Sequence, residues 1–132
     1  MNPPIEDLKD MIVAAPSIVD LTFGTDLFLS KMPSTPDKCV ALFDTGGLAP
    51  YLIGVVLDRP TVQVKIRGKQ GGYKDAYTVG ESIKDFFEEQ HDTIINGTRY
   101  LQIYPMQDVV FLNYDELDRP LFTINFRMDR TA

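Results

Sequence analysis

The stretch LFDTGG, residues 42–47, is the one arrangement in the chain that is typical of a catalytic loop. Two apolar residues followed by Asp44, Thr45 and Gly46 match the loop that supplies the catalytic carboxylate in aspartic proteases. That chemistry needs two carboxylates that share a proton, because like charges about 3 Å apart do not both ionise. This chain has a single Asp-Thr-Gly, so a protease of this kind would have to dimerise across the loop.

The rest of the chain gives the catalytic interpretation little support. Residues 67–72 are Gly-rich and resemble a flap, but no later apolar-apolar-Gly segment is present to support a dyad loop. The middle of the chain predicts a long helix, whereas small viral-type proteases are nearly all β. We therefore interpret Asp44 and Thr45 as residues that cap a strand end, with Gly46 and Gly47 providing the positive φ of a turn. We expect no catalytic residue, and a homodimeric aspartic protease remains an alternative.

Histidine and cysteine are too few for the other common sites. His91 is the only histidine and lies where an acidic helix is predicted to end, so a His-rich metal site is excluded. Cys39 is the only cysteine, which excludes an internal disulfide and a multi-cysteine metal site. It begins an apolar run and is expected to be buried. Residues 68–72 lack the Lys-Ser/Thr ending of a phosphate loop. We expect no metal and no cofactor.

Length and composition favour one domain over residues 1–132. The chain is 44% hydrophobic, which is enough for a core at this length. Three acids stand in the first ten residues, where a signal peptide carries basic residues. No apolar run approaches the ~20 residues that span a bilayer. We expect an unsecreted protein with no membrane partner, and the net charge of −6 argues against a general nucleic-acid binder.

Two helices are predicted from apolar residues at helical spacing. The first covers residues 3–15, with Asn2 expected as its cap. The second is amphipathic, with apolar positions over residues 76–87 and acids on the opposite side. Gly80 inside it is expected to weaken it by roughly 1 kcal/mol. The Asn-Gly pair at 96–97 is expected to end it and turn the chain.

Alternating apolar residues predict the strands. Their expected positions are residues 25–30, 38–44, 61–67, 98–104, 109–113 and 121–128. The first two are expected to form a hairpin with a loop of about seven residues. In two later strands the inward residues are Val62, Val64, Ile66, Phe122, Ile124, Phe126 and Met128. The predicted fold is α+β: a single mixed or antiparallel β-sheet with the N-terminal helix and the central amphipathic helix packed on one face.

The segment that follows Asp44 is unusually apolar for a loop. Residues 48–57, LAPYLIGVVL, combine breakers with seven large or branched apolar side chains. Loops normally run over the surface in contact with water. Two interpretations remain open: part of the segment is another strand, or it packs against another surface.

Charge is distributed unevenly along the chain. Residues 59–72 contain four basic residues and no acid, whereas residues 75–92 contain six acids and one lysine. Lys65, Arg67 and Arg127 are expected to share one solvent-exposed sheet face. These runs are interpreted either as two solvated faces or as surfaces that meet on neighbouring copies. A weaker alternative is a nucleic-acid-binding face formed by Lys65, Arg67, Lys69 and Arg127.

Three stretches in order resemble a known family. They are GTDLFLSKMPSTPDKCVALFDTGG, RPTVQVKIRGK and DELDRPLFTINFRM, and the likeness extends over about residues 5–128. Together they resemble the minor capsid or tail-completion proteins of long-tailed bacteriophages and are similar to phage tail terminators. Within this resemblance DTGG is a structural turn. The apolar LAPYLIGVVL departs from the polar, proline-rich loop that the family would have there.

The resemblance implies a virion structural protein and no enzyme. Tail terminators form a ring, expected to be a hexamer, that stops polymerisation of the tail tube and docks the head connector. The implied partners are other copies of the chain, the tail tube protein and a head-completion or connector protein, with DNA only passing through the lumen. The expected location is the virion tail at the head–tail interface, and the host cytoplasm during assembly. Another head–tail connector or a minor capsid component is the nearest alternative. The candidate subunit-interface residues are Leu48, Tyr51, Leu52, Ile53, Lys65, Arg67, Lys69, Glu81, Asp85, Glu88, Glu89 and Arg127.

Overall fold

The computed structural model describes the backbone of residues 1–132 and every side chain except those of Ile53 and Val55. Two helices and seven strands follow one another in the order α1 (Pro4–Val13), β1 (Leu27–Leu29), β2 (Cys39–Ile53), β3 (Val55–Arg67), α2 (Tyr73–Glu88), β4 (His91–Ile95), β5 (Thr98–Pro105), β6 (Val110–Tyr114) and β7 (Pro120–Thr131). Neither helix is long and apolar enough to cross a membrane.

The strands form one mixed sheet. Its order is β1-β2-β3-β7-β5-β4, and β6 pairs with the start of β7. β1 pairs in parallel with β2, while the other strand pairs are antiparallel. Both helices contribute to a single hydrophobic core with the inner face of the sheet. The predicted α+β class with an N-terminal and a central helix is confirmed.

The core lies where the alternating pattern predicts it. The seven predicted inward residues of β3 and β7 are each 1% exposed or less. They are Val62, Val64, Ile66, Phe122, Ile124, Phe126 and Met128. α2 contributes Ile83, Phe86 and Phe87 from its buried side, and the ring of Phe87 packs edge-on against Phe126 at 5.2 Å. Burying side chains of this size stabilises the fold by about 1.5–3 kcal/mol each.

Gly80 is a packing requirement of α2 as well as a local weakness of the helix. A Cβ at this position would lie 2.9 Å from Cγ1 and 3.1 Å from Cγ2 of Val109. The missing side chain therefore lets α2 approach the segment that leads into β6. The predicted cap of α1 is wrong: Pro3 occupies the N-cap position without a side-chain hydrogen bond, and Asn2 instead contacts Asp7 at 3.4 Å.

The predicted hairpin between the first two strands is also wrong. β1 and β2 run in parallel, with Leu27 opposite Val40, so the connection must return to the starting end of β1. Arg67 holds that connection in place. Its Nη2 donates to the carbonyls of Pro33 at 2.6 Å and Pro36 at 2.7 Å, and its Nε donates to Asp37 at 2.9 Å.

Arg119, the residue before β7, also holds this connection. Its Nη1 donates to the carbonyl of Ser34 at 2.6 Å and to Oδ1 of Asp37 at 3.1 Å. Its Nε donates to Oδ2 of Asp115 at 2.8 Å. Arg119 and Arg67 are only 4% and 5% exposed. The expectation that Arg67 lies on a solvent-exposed face is therefore wrong, because its guanidinium supplies the carbonyls of the connection with buried donors.

β4 lies where the sequence predicts the end of the central helix. α2 ends at Glu88, and His91 is the first, exposed residue of β4. Asn96 and Gly97 form the turn of the β4–β5 hairpin, with φ values of +51° and +77°. Two successive positive φ angles are the geometry of a type I′ hairpin turn, for which Asn-Gly is the preferred pair.

A buried polar cluster ties α1 to the sheet. Asp7 is fully buried and accepts hydrogen bonds from the Tyr100 hydroxyl at 2.6 Å and from Nδ2 of Asn96 at 2.8 Å. Nη1 of Arg130 lies 3.8 Å from Oδ2 of Asp7 and donates to the Tyr100 oxygen at 3.2 Å. Burial and then the Asp7 hydrogen bond raise the pKa of Tyr100. The cluster thus joins the first helix, the β4–β5 turn and the last strand.

Candidate subunit interface

The Asp-Thr-Gly-Gly motif forms a β-bulge within β2. The register with β3 shifts between Asp44 and Gly47, and the strand continues beyond the bulge. Asp44 is exposed, and its Oδ1 accepts a hydrogen bond from the backbone N–H of Ile5 in the first turn of α1 at 3.3 Å. Partial desolvation raises the pKa of Asp44, and the hydrogen bond from Ile5 opposes that rise. Asp44 was expected to cap the end of a strand. Instead it lies inside β2, and its carboxylate accepts a hydrogen bond from the N-terminus of α1.

Gly47 lets the two long strands approach closely at this bulge. A Cβ on Gly47 would lie 2.6 Å from the carbonyl oxygen of Arg59 and 2.7 Å from Cα of Pro60. Its φ of +141° also disfavours any residue with a side chain. Thr45 and Thr61 join across the same strands through their hydroxyl oxygens at 2.7 Å. Asp44, Thr45 and Gly47 of the motif therefore each have a structural contact within one chain.

Beyond the bulge, β2 and β3 form a long hairpin, which we call the arm (residues 48–59). The ladder runs from Leu48 opposite Arg59 to Leu52 opposite Val56. The apolar segment 48–57 therefore lies in two paired strands, which agrees with the first of the two interpretations of the sequence. Leu48 is 46% exposed, Tyr51 47% and Leu52 74%, and Val56, which was not predicted as an interface residue, is 57% exposed. The side chain of Ile53, a predicted interface residue, lies outside the described residues.

A cation braces the base of the arm. The guanidinium of Arg59 lies 3.9 Å from the ring centroid of Tyr51, and its Nε donates to the carbonyl of Ala49 at 2.8 Å. These contacts hold the two strands of the arm together from outside the core. Tyr51 and Arg59 belong to residue types that are enriched among the energetically dominant positions of protein interfaces.

The basic residues of the sheet are more scattered than predicted. Lys65 and Arg127 are half-buried on the sheet face opposite the helices. Each lies near an aromatic ring: Nζ of Lys65 is 5.4 Å from the centroid of Phe43, and the guanidinium of Arg127 is 4.4 Å from that of Tyr104. Lys69 is exposed in the turn before α2. With Arg67 buried, no continuous basic surface unites the four predicted cations.

The acids of α2 form an exposed face, as the helical spacing predicts. Glu81, Asp85, Glu88 and Glu89 are all exposed on the side of the helix away from the sheet. Lys84 lies among them, with its Nζ 2.6 Å from Oδ1 of Asp108 and 3.7 Å from Oε1 of Glu88. A single lysine among these acids leaves most of this face negative.

An exposed aromatic surface was not predicted. We call Tyr73, Tyr77, Phe111 and Tyr114 the aromatic patch. The ring centroids of Tyr73 and Phe111 are 5.2 Å apart, as are those of Phe111 and Tyr114, and Tyr77 packs on the buried Phe122 at 6.0 Å. The three tyrosines are 45%, 36% and 50% exposed in sequence order. The spacing of Tyr73 and Tyr77, one turn apart on α2, was the available signal.

Comparisons with known proteins agree with the resemblance. A sequence profile described as bacteriophage tail terminator protein matches residues 17–132. No curated protein sequence matches the chain. A solved structure described as the virion of a native gene transfer agent particle contains a chain of similar fold. It aligns with a TM-score of 0.75 at 12% identity and covers 98% of this chain and 96% of the other.

The profile covers most of the chain, including the bulge, the arm and the aromatic patch. The structural likeness, at low identity, extends the agreement in fold to α1 as well. The chain belongs to the bacteriophage tail terminator protein family and is a structural protein of a phage tail.

Proposed function

We propose that the chain is a tail terminator that assembles into a closed ring at the head–tail joint. The ring, expected to be a hexamer, would cap the tail tube and dock the head connector. The observation that carries the proposal is the arm, on which the large apolar side chains of Leu48, Tyr51 and Leu52 are exposed. Apolar residues concentrated on one projecting element are typical of a surface that is buried in an assembly.

A ring of identical subunits uses heterologous contacts, in which one patch meets a different patch on the next copy. The chain offers distinct surfaces of this kind: the arm, the acidic face of α2 (Glu81, Asp85, Glu88, Glu89) and the cations Lys65, Lys69 and Arg127. Arg67 supports the ring only indirectly, because its donors hold the β1–β2 connection. Partners of the ring would be the tail tube protein and a head-completion or connector protein.

The acidic character of the chain suits a ring through which DNA passes. A net charge of −6 disfavours lasting contact between the lumen and the phosphates. Assembly would take place in the host cytoplasm and the product would remain in the virion. Weak retention of the ring on heparin at physiological salt is the expected result, and strong retention would contradict this part of the proposal.

A phage that carries a stop codon in this reading frame provides the decisive experiment. If the protein ends tube growth, the mutant lysate contains tails of irregular, excess length and heads without tails, and expression of the chain in trans restores virions. Tails of normal length attached to heads would contradict the proposal. Normal-length tails that fail to join heads would instead support a connector role. Negative-stain images of the purified chain with tube protein test the six-fold ring directly.

A further inference from the structure

The arm and the aromatic patch lie at opposite ends of the same strand. β3 begins in the arm and ends at Arg67, which pairs with Leu121 of β7. Leu121 is also the partner of Asn113 in β6, beside the aromatic patch. Arg67 lies eight positions after Arg59, which is about 26 Å of extended strand. The arm of one copy therefore does not cover its own patch, although both surfaces are exposed and apolar.

The charges around the two surfaces are complementary. Arg59, at the base of the arm, stacks on Tyr51 and donates from Nε to the carbonyl of Ala49, but it forms no salt bridge with any described side chain. Glu116 and Asp118 lie in the turn that follows Tyr114, and both are exposed. Neither acid forms a salt bridge within the part of the chain whose side chains are described. Among the described side chains, the arm thus carries a cation without an ionic partner, and the aromatic patch has two such anions beside it.

We propose that the arm of one copy docks on the aromatic patch of the next copy. Leu52 and Val56, which are paired across the arm and share a face, would pack on Tyr77 and Tyr114, with Arg59 placed at the acidic turn. The contact joins two different surfaces at opposite ends of the molecule, so each copy offers one of each and a chain of copies closes when its rotation allows. The inference rests on the proposed ring and names the donor and acceptor surfaces within it.

Disulfide capture tests the contact directly. Leu52→Cys and Tyr114→Cys are made in separate chains and mixed under mild oxidation. The native Cys39 is buried and is expected to stay silent. A cross-linked heterodimer between positions 52 and 114 is the expected product. The matched control pairs Leu52→Cys with Ile94→Cys, since Ile94 is 71% exposed on β4, outside the patch. A missing 52–114 product, or an equal yield from the control pair, overturns the proposal.

Charge reversal provides a second test that does not depend on cysteine chemistry. Arg59→Glu is expected to weaken self-association about tenfold, because a carboxylate would then face the acidic turn. Combining Arg59→Glu with Glu116→Arg and Asp118→Arg restores association if these groups meet across the contact. Circular dichroism confirms that each variant is folded. Weakening without rescue by the combined variant contradicts the assigned partners.

Imaging of the cross-linked samples separates this inference from the proposed function. Six-fold rings without the 52–114 product would refute arm docking and leave the terminator ring intact. The 52–114 product in open filaments or dimers, with no ring on purified tails, would support the contact and refute the terminator function.

Discussion

Gly47→Ala and Gly46→Ala form a matched pair that tests whether DTGG is a structural motif. Both glycines have a positive φ, +89° for Gly46 and +141° for Gly47. They differ in surroundings, because a Cβ at Gly46 meets nothing within 4 Å whereas one at Gly47 collides with the backbone of Arg59 and Pro60. Both substitutions place an alanine at a positive φ, and only Gly47→Ala also forces a methyl group against the backbone of β3.

The difference can be converted into a free energy of unfolding. A positive φ costs an L-residue about 1–2 kcal/mol, so Gly46→Ala is expected to destabilise by that amount. Forcing a methyl group against backbone adds about 1–3 kcal/mol, which brings Gly47→Ala to about 2–5 kcal/mol. For 132 residues the unfolding entropy makes 1 kcal/mol equivalent to about 4 °C in Tm. We expect Tm to fall by roughly 4–8 °C for Gly46→Ala and roughly 8–20 °C for Gly47→Ala.

Thermal and urea unfolding followed by circular dichroism measure both changes. Equal Tm values for the two variants would refute the close approach of β2 and β3 at Gly47, and with it the structural role of the motif. The aspartic protease alternative is tested with the same preparations. The wild-type chain is expected to leave casein intact at about pH 4–6, where such dyads work. Cleavage that Asp44→Asn abolishes would reverse that conclusion.

Three further predictions concern the buried polar groups. Asp7→Ala is expected to lower the free energy of unfolding in urea by about 3–5 kcal/mol, because it removes the carboxylate at the centre of the buried cluster, whereas the partly exposed Asp10→Ala lowers it by less than about 1 kcal/mol. The pKa of Tyr100 is raised in the folded state. The hydroxyl therefore contributes its full stabilisation below the unfolded-state pKa of about 10, and this stabilisation is lost as the pH rises above that value. Tyr100→Phe is expected to reduce the fall in Tm between about pH 8 and pH 11. Arg67→Met is expected to cost about 3–5 kcal/mol and to expose the β1–β2 connection to limited proteolysis, while Lys65→Met on the open face costs less than about 1 kcal/mol.

Patterns within single elements correctly predicted the parts of the fold that depend on residues close together in the sequence. The alternation of Val62, Val64 and Ile66 predicts which face of β3 is buried, since successive side chains in a strand point to opposite faces. The helical spacing of Ile83 and Phe87 likewise predicts the buried side of α2. In both cases the signal lies within one element, and the structure agrees with it.

Long-range contacts account for the parts that the sequence did not reveal. The connection between the parallel strands β1 and β2 is held by Arg67, which is 30 to 34 residues away from the carbonyls that it binds, and no local pattern encodes that contact. Arg67 was assigned to the solvent because the alternation of β3 does not distinguish a solvated arginine from one that binds buried carbonyls. β4 was missed because its five residues are mostly exposed, although Asn96-Gly97 is a recognised hairpin signal.

The exposed surfaces of the candidate interface were likewise predicted in part. Leu48, Tyr51 and Leu52 were predicted from their apolar character, and their exposure depends on a hairpin that projects from the sheet. The aromatic patch escaped prediction because Phe111 and Tyr114 come beside Tyr73 only through the pairing of β6 with β7. Whether these residues contact neighbouring copies stays a prediction for the experiments above.

Cys39 gives the molecule an internal reporter. It is 3% exposed at the start of β2, opposite Arg67, and burial raises the pKa of its thiol. A protonated, enclosed sulfur does not react, because the thiolate is the nucleophile. Modification by an aromatic disulfide reagent would therefore proceed only through transient opening of this corner of the sheet. The rate of Cys39 modification would measure how often this corner opens, without a label on the protein. If the rate falls as the protein concentration rises, assembly stabilises this part of the sheet.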